Sequence, residues 1–153
     1  MKLISEKFIQ NSIIEHLFRK GWSRNLRAKG LDEHGVDIKV RHNRYARYWL
    51  IECKGDASKT AKKPRSHREV SFTLALGQII TRMKSDGQRG YKYGYKYGVG
   101  FPEWFRDPVI RRLPYNVADR LNLFVFFVTE DGSVDMLDWR KLKKLQTADK
   151  SRG

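Results

Sequence analysis

Cysteine is nearly missing from this chain. Cys53 is the only one in 153 residues, so an intrachain disulfide is excluded, and a reducing, cytoplasmic setting is expected. Long apolar runs are lacking too. The longest, Leu123 to Val128, falls far short of the about 20 residues of a membrane-spanning helix. No basic amphipathic helix with a bulky apolar face stands out, so no membrane partner is expected. The opening MKLISEKFIQ has no extended apolar stretch or small-residue cleavage site, and no signal peptide is expected. There is no G-x-x-x-x-G-K-[ST] loop, so no nucleotide cofactor is expected. There is no G-x-S-x-G elbow for a serine hydrolase. His16, His42 and His67 share no spacing with Cys53 that suits zinc.

Negative charge is also scarce. Asp and Glu number 17 against 32 Lys and Arg, a formal net charge of +15. A field of that sign attracts polyanions, and nucleic acid is the first partner to consider. Three segments concentrate the basic residues. Lys59 to Arg68, with Lys62, Lys63 and Arg65, forms either a clamp on backbone phosphates or a solvated loop. Tyr91 to Tyr97 interleaves tyrosines with Lys92 and Lys96, which suits stacking on unpaired bases and equally suits packing on a sheet. Trp104, Phe105, Arg106, Arg111 and Arg112 make a third, basic-aromatic cluster, placed on a substrate-facing loop.

Periodicity divides the chain. Ile9, Ile13 and Leu17 recur at helical spacing between Ser5, a candidate N-cap, and the stop signal Gly21. Glu6 and Gln10 fall on the same face as Ile13 and Leu17, where a carboxylate is costly unless it sits at the rim. Trp22 to Leu31 reads as a strand or loop. Gly35 to Arg41 and Tyr48 to Lys54 read as two strands of an antiparallel hairpin. Ala57 to Arg68 reads as an exposed loop, Ser71 to Lys84 as a helix, and Tyr91 to Phe101 as a strand. Pro102 to Pro114 reads as irregular with a short helix, and Val117 to Leu121 as a helical turn. Leu123 to Thr129 is a buried strand, and Asp131-Gly132 turns it into Ser133 to Leu137. A basic helix from Arg140 ends in a tail that frays from about residue 146. The expectation is one α/β domain over residues 1–153, a mixed β-sheet flanked by helices, with core order α-β-β-β-α-β-α-β.

The chemistry centres on the hairpin. Asp37 and Glu52 lie on neighbouring strands, and Lys54, two residues after Glu52, shares its face. Cys53 then points into the core, as its size and polarity suit. Two carboxylates favour a hard divalent cation such as Mg²⁺, and the Cys53 backbone carbonyl offers a third oxygen. Such a site activates water and neutralises charge on a phosphate. Lys54 would orient or deprotonate that water or offset phosphate charge. Glu6 reaches the same place as an outer ligand. The competing reading is an ordinary cross-strand Glu–Lys pair on a surface hairpin. His34 reads as a solvated loop histidine.

In the order Glu6, Gly35-Val36-Asp37, Ile51-Glu52-Cys53-Lys54, the chain resembles the PD-(D/E)xK nuclease superfamily, with Val36 in place of the motif's proline. The resemblance spans Glu6 to Gln78 and implies a restriction-endonuclease-like fold and metal-dependent hydrolysis of DNA. It assigns the metal acids to Asp37 and Glu52, the catalytic lysine to Lys54 and an accessory acid to Glu6. Gln78, in Gly77-Gln78, matches the core-helix glutamine of several branches. Mg²⁺ is the implied cofactor, with Mn²⁺ as a substitute, and a homodimer or a partner subunit is implied. Restriction, junction resolution and repair nicking stay open. A non-catalytic nucleic-acid-binding module of the same fold and an RNA nuclease are the alternatives.

Overall fold

The computed structural model of the protein describes residues 3–24, 36–56, 64–83 and 94–151, the side chains of 64–66 and 149–151 excepted. Five strands form one mixed sheet in the order β1-β2-β3-β4-β5. They are β1 (Ile38–Arg41), β2 (Tyr48–Cys53), β3 (Tyr95–Pro102), β4 (Leu123–Val128) and β5 (Val134–Leu137). β2, β3 and β4 run parallel, and an antiparallel strand closes each edge. The expected hairpin is therefore present, with Ile38 opposite Ile51. Between the first two helices the described residues hold two strands rather than three. Trp22, expected to open a strand or loop, makes a single bridge with His42, and residues 25–35 lie outside the described residues.

Among the described residues, one helix covers one face of the sheet. α1 (Glu6–Phe18) starts where expected, because the Ser5 side chain accepts a hydrogen bond from the Phe8 N–H and satisfies a first-turn donor. Gly21, at φ +97°, turns the chain away after its end. Ile9, Ile13 and Leu17 are buried against Ile38, Val40, Trp49, Ile51, Cys53 and Phe126. The approach is close. A Cβ on Gly100 of β3 would lie 2.5 Å from Ile13 Cδ1 and 3.3 Å from Cys53 Sγ, so glycine is what lets helix and sheet meet.

The other face carries α2 (Pro64–Arg82), α3 (Arg106–Arg112), α4 (Tyr115–Leu121) and α5 (Trp139–Ser151), over a core that includes Leu50, Phe72, Ile79, Val99, Phe101 and Phe127. α2 begins seven residues earlier than the expected Ser71, within a segment read as loop. Pro64 occupies the first helical position, where its fixed φ suits the helix and its missing N–H has no cost. The segment Pro102 to Pro114 is more regular than expected, a 3₁₀ turn at Glu103–Phe105 running into α3. The C-terminal helix is described from Trp139 to Ser151, on both sides of residue 146. Gln146 donates to the Ile110 and Leu113 carbonyls and accepts from Tyr115 N–H, pinning α5 to the ends of α3 and α4. Among the described residues no helix is long and apolar enough to cross a membrane.

Candidate active site at the C-terminal end of β2

The hairpin register decides the geometry. With Ile38 opposite Ile51, the next step outward sets Asp37 opposite Glu52, so both side chains leave the same face. Asp37 itself lies just before β1, although Gly35 to Arg41 reads as one strand in the sequence. The reason is visible in its side chain. Asp37 Oδ2 accepts a 2.8 Å hydrogen bond from the Cys53 N–H, which takes the place of a main-chain ladder bond. In extended backbone a residue's N–H and C=O point to the same side, so the Cys53 carbonyl also faces Asp37. Lys54 N–H donates the other way, to the Gly100 carbonyl at 3.0 Å. Cys53 is fully buried on the α1 face, and burial, followed by the charge of Asp37, pushes its thiol well up. It is a core residue and not a nucleophile.

Glu52 is 4% exposed. Its carboxyl is pushed up to about 8, first by burial and then by the neighbouring Asp37, with which it shares a hydrogen bond, while Arg82 and Lys54 pull the other way. A carboxyl–carboxyl contact needs a proton or a cation between the two groups. Glu52 Oε1 has no hydrogen-bond partner. Arg82, on the last turn of α2, brings Nε to 3.9 Å from that oxygen, too far for a hydrogen bond. Gln78, one turn earlier on α2, and Arg82 also leave a buried atom each unpartnered, Oε1 and Nε. Buried polar groups are nearly always paired, so two such atoms facing each other, Glu52 Oε1 and Arg82 Nε, point to a place open to another partner.

Glu6 reaches the rim of the same site from the start of α1. Its carboxyl is raised, by partial burial and then by the charge of Asp37, while Lys54 pulls the other way. What holds Glu6 there is not legible in the sequence. A Cβ at Gly55 would stand 2.7 Å from the Ser5 carbonyl carbon and 2.8 Å from Ile4 O, and closer still to Glu6 N. Asp56 completes the tether. Its Oδ2 accepts from Ile4 N–H at 2.8 Å, its own N–H donates to Ile4 O at 2.8 Å, and its Oδ1 accepts from Trp104 Nε1 at 2.7 Å. His67 Nε2 lies 3.3 Å from the Gly55 carbonyl and 3.2 Å from Ser71 Oγ, so α2 is fastened to the same segment. The carbonyl can only accept, so Nε2 carries the hydrogen in that contact.

Asp37, Glu52, Lys54 and Glu6 thus converge, and Gln78 lies on the α2 face that carries Arg82. Among the described residues no three His, Cys, Asp or Glu side chains form a metal-holding group. The oxygen set is two carboxylates and one main-chain carbonyl, which fits an ion that keeps several waters. The unpaired, buried Glu52 Oε1 is the observation behind that fit.

Of the nine expected nucleic-acid contacts, four have described side chains. Lys59, Lys62, Lys63, Lys92 and His34 lie outside the described residues, as does the side chain of Arg65. Arg68 is half-buried on α2. Arg112 pairs with Glu69 at 2.9 Å, and Arg111 is exposed on α3. Lys96 lies at the other end of the sheet, its Nζ 5.4 Å from the Trp49 ring centre and 5.5 Å from that of Phe124, and burial lowers its pKa. Tyr95 and Tyr97 stack on the sheet, as one of the two readings of that segment expects. Two members of the basic-aromatic cluster have structural partners. Phe105 is core, and Arg106 binds Glu103 and Asp135 over the Phe127 ring. No family model, curated protein or solved structure matches the chain.

Proposed function

We propose that the protein is a divalent-metal-dependent deoxyribonuclease that hydrolyses phosphodiester bonds at Asp37, Glu52 and Lys54. The buried Glu52 carboxyl, pressed against Asp37 with one oxygen unpartnered, carries this reading. A surface Glu–Lys pair, the competing account, would be solvated and would leave no such atom. The arrangement of α1, hairpin, α2 and β3 is read as a restriction-endonuclease-like core, in line with the resemblance to PD-(D/E)xK nucleases.

Asp37 and Glu52, with the Cys53 carbonyl, would hold Mg²⁺, or Mn²⁺ in its place. When bound, such an ion lowers the pKa of a ligated water and offsets charge on the phosphate. The chain's own groups do the rest. Asp37 uses one oxygen to fix the Cys53 N–H, which aligns its second oxygen and the carbonyl on one side. Burial keeps bulk water from Glu52 and strengthens its interaction with any cation. Lys54 Nζ orients the attacking water or takes its proton. Glu6, held at the rim by Gly55 and Asp56, accepts from water in the same shell. Gln78 supplies an amide on the α2 side. The net charge of +15 draws the polyanionic substrate in.

The test is digestion of plasmid, single-stranded, flapped and four-way-junction DNA, with RNA in parallel, under Mg²⁺, Mn²⁺ and EDTA. The reading expects DNA cleavage that EDTA abolishes. Tight DNA binding without any metal-dependent turnover would favour the binding-module alternative, and cleavage of RNA alone the ribonuclease.

A further inference from the structure

Arg82 has no assigned task, yet its guanidinium reaches the deepest carboxylate of the site. Its Nε faces Glu52 Oε1 at 3.9 Å, and neither atom has a hydrogen bond. An arginine that served only to neutralise Glu52 would close that gap, since charge-assisted pairs settle below about 3 Å and are often bidentate. Arg106 shows that this fold can do so, at 2.8 Å from Glu103 and 2.5 Å from Asp135. The Arg82 side chain is 32% exposed while that of Glu52 is 6% exposed, so it spans from the buried acid to solvent. Gln78 Oε1, one turn back on the same helix face, is a second buried acceptor without a partner.

We propose that Arg82 is a movable cation of the site, resting against Glu52 when no divalent ion is bound and contacting a non-bridging oxygen of the scissile phosphate once ion and DNA are in place. This rests on the metal-dependent nuclease reading given above. The charge balance drives the exchange. Fully ionised, as a bound cation would require, Glu6, Asp37 and Glu52 supply three negative charges against the two positive charges of Lys54 and Arg82. With a divalent ion added the same groups would hold an excess of one positive charge, which a single phosphodiester charge would cancel. Arg82 would then be driven from Glu52, because two like charges at this separation in a partly buried site are strongly unfavourable. The guanidinium then has one anion left within reach, the phosphate held by the same ion. Arginine suits that contact because its planar fork matches phosphate oxygens. Substrate selection follows. A terminal phosphomonoester carries more charge than the site balances, so the arrangement favours internal phosphodiesters.

The experiment compares wild type, Arg82→Gln, Arg82→Lys and the Asp37→Asn, Glu52→Gln double variant on the full chain. Mn²⁺ binding to DNA-free protein is read by electron paramagnetic resonance. Binding of a labelled duplex is read by fluorescence polarisation in Ca²⁺, a hard cation that fills oxygen sites. Far-UV circular dichroism and Tm check that each variant folds. Arg82→Gln should bind Mn²⁺ about three- to tenfold more tightly, because a competing cation is gone, and should bind the duplex at least about tenfold more weakly. Arg82→Lys should restore part of the duplex affinity. A purely structural arginine would move both readouts downward together, and an idle one would move neither; either result overturns the proposal. The double variant separates the two layers. If it binds Mn²⁺ like wild type, the metal site itself is wrongly placed. If it loses Mn²⁺ while Arg82→Gln changes nothing, the site stands and the role of Arg82 falls.

Discussion

Two arginine–carboxylate clusters lie on this sheet, and they are built to different rules. At β5, Arg106 donates to Glu103 and to Asp135 and lies 4.7 Å above the Phe127 ring, with no buried atom of its side chain left unpartnered. At the end of β2, Arg82 Nε stops 3.9 Å from Glu52 Oε1, and neither atom has a hydrogen-bond partner. The first cluster is closed and half-exposed, so its worth is a modest stabilisation. The second is open and buried, which is costly for a protein that never fills it. Natural folds tolerate that cost where a ligand supplies the missing bonds, and on that ground the first cluster reads as a strut and the second is proposed as a site.

The largest expected effect tests that contrast directly. Asp37→Asn or Glu52→Gln should lower Mg²⁺-dependent DNA cleavage by at least about a hundredfold, since each removes a charge from the ion's first contacts. Both substitutions keep the shape and relieve the carboxyl–carboxyl crowding, so Tm should hold or rise. Arg106→Ala should do the reverse, costing about 1 kcal/mol of stability while cleavage at saturating DNA stays the same. Plasmid nicking assays paired with thermal melts would show it. If Arg106→Ala abolished cutting and Glu52→Gln did not, the two clusters would have to exchange roles.

The tether behind the open cluster gives the next effect. Gly55→Ala would drive a methyl group into the main chain of Ile4, Ser5 and Glu6, where no flexible side chain can yield. A loss of about 1–3 kcal/mol is expected, as for other overpacked sites. Cleavage should fall further than the melt explains, because Glu6 moves with the start of α1. Asp56→Asn should show a milder version of both. Equal losses of activity for Gly55→Ala and for an equally destabilised core variant such as Ile79→Val would remove Glu6 from the site.

Proton linkage sharpens the comparison further. Glu52 titrates near 8 in the folded, metal-free protein against 4.5 for an ordinary glutamate, so between those values the folded chain holds the extra proton. Its contribution is fully present below the unfolded value and is lost as pH rises through about 8. Glu6, raised for a like reason, acts in the same direction. His16, lowered by burial from 6.5, acts in the opposite sense and only at lower pH, so a window from about pH 7 to 9 isolates the carboxyl. In EDTA the melting temperature should fall across that window, and Glu52→Gln should flatten the profile. Divalent binding should strengthen over the same window, because the ion displaces a proton. The Arg106 cluster stands apart from this carboxyl pair, so Arg106→Ala should leave the slope unchanged.

Local pattern was enough to find the acids but not their surroundings. Strand alternation set Asp37, Glu52 and Lys54 on one face, and the short connection between their strands fixed the pairing. Arg82 was out of reach because its relation to Glu52 depends on how α2 crosses the sheet. Asp56 bonds to Ile4 and Trp104, 52 and 48 positions away, and no periodicity records such contacts. The early start of α2 was hidden by composition. The polar residues around Pro64 read as a loop, but proline at a first helical turn promotes a helix instead. The cluster from Trp104 to Arg112 held a similar blind spot. Its interleaved aromatics and arginines do not record that Phe105 lies in the core or that Arg106 is bound to two acids.

The smallest expected effect concerns the far end of the same sheet. Lys96 belongs to the basic-aromatic run that suggested base stacking, yet its ammonium sits over Trp49 and Phe124 on the α1 face. Register sets Lys96 beside Trp49 and Val99 beside Glu52, so Lys96 is three residues, about 10 Å, down the strand from the carboxylate pair. A lysine that contacts phosphate releases counterions, and removing it lowers the salt slope of DNA binding by about one. A lysine held by rings loses only the cation–π attraction, about 0.5–1 kcal/mol of stability. Lys96→Met keeps the stem packed on both rings while deleting the charge, so it should leave the slope of log K against log salt unchanged and cost at most that much in a melt. A slope reduced by a full unit would carry the DNA track around the edge of the sheet onto the α1 face, and the closed, packed end of the sheet would then share substrate with the open one.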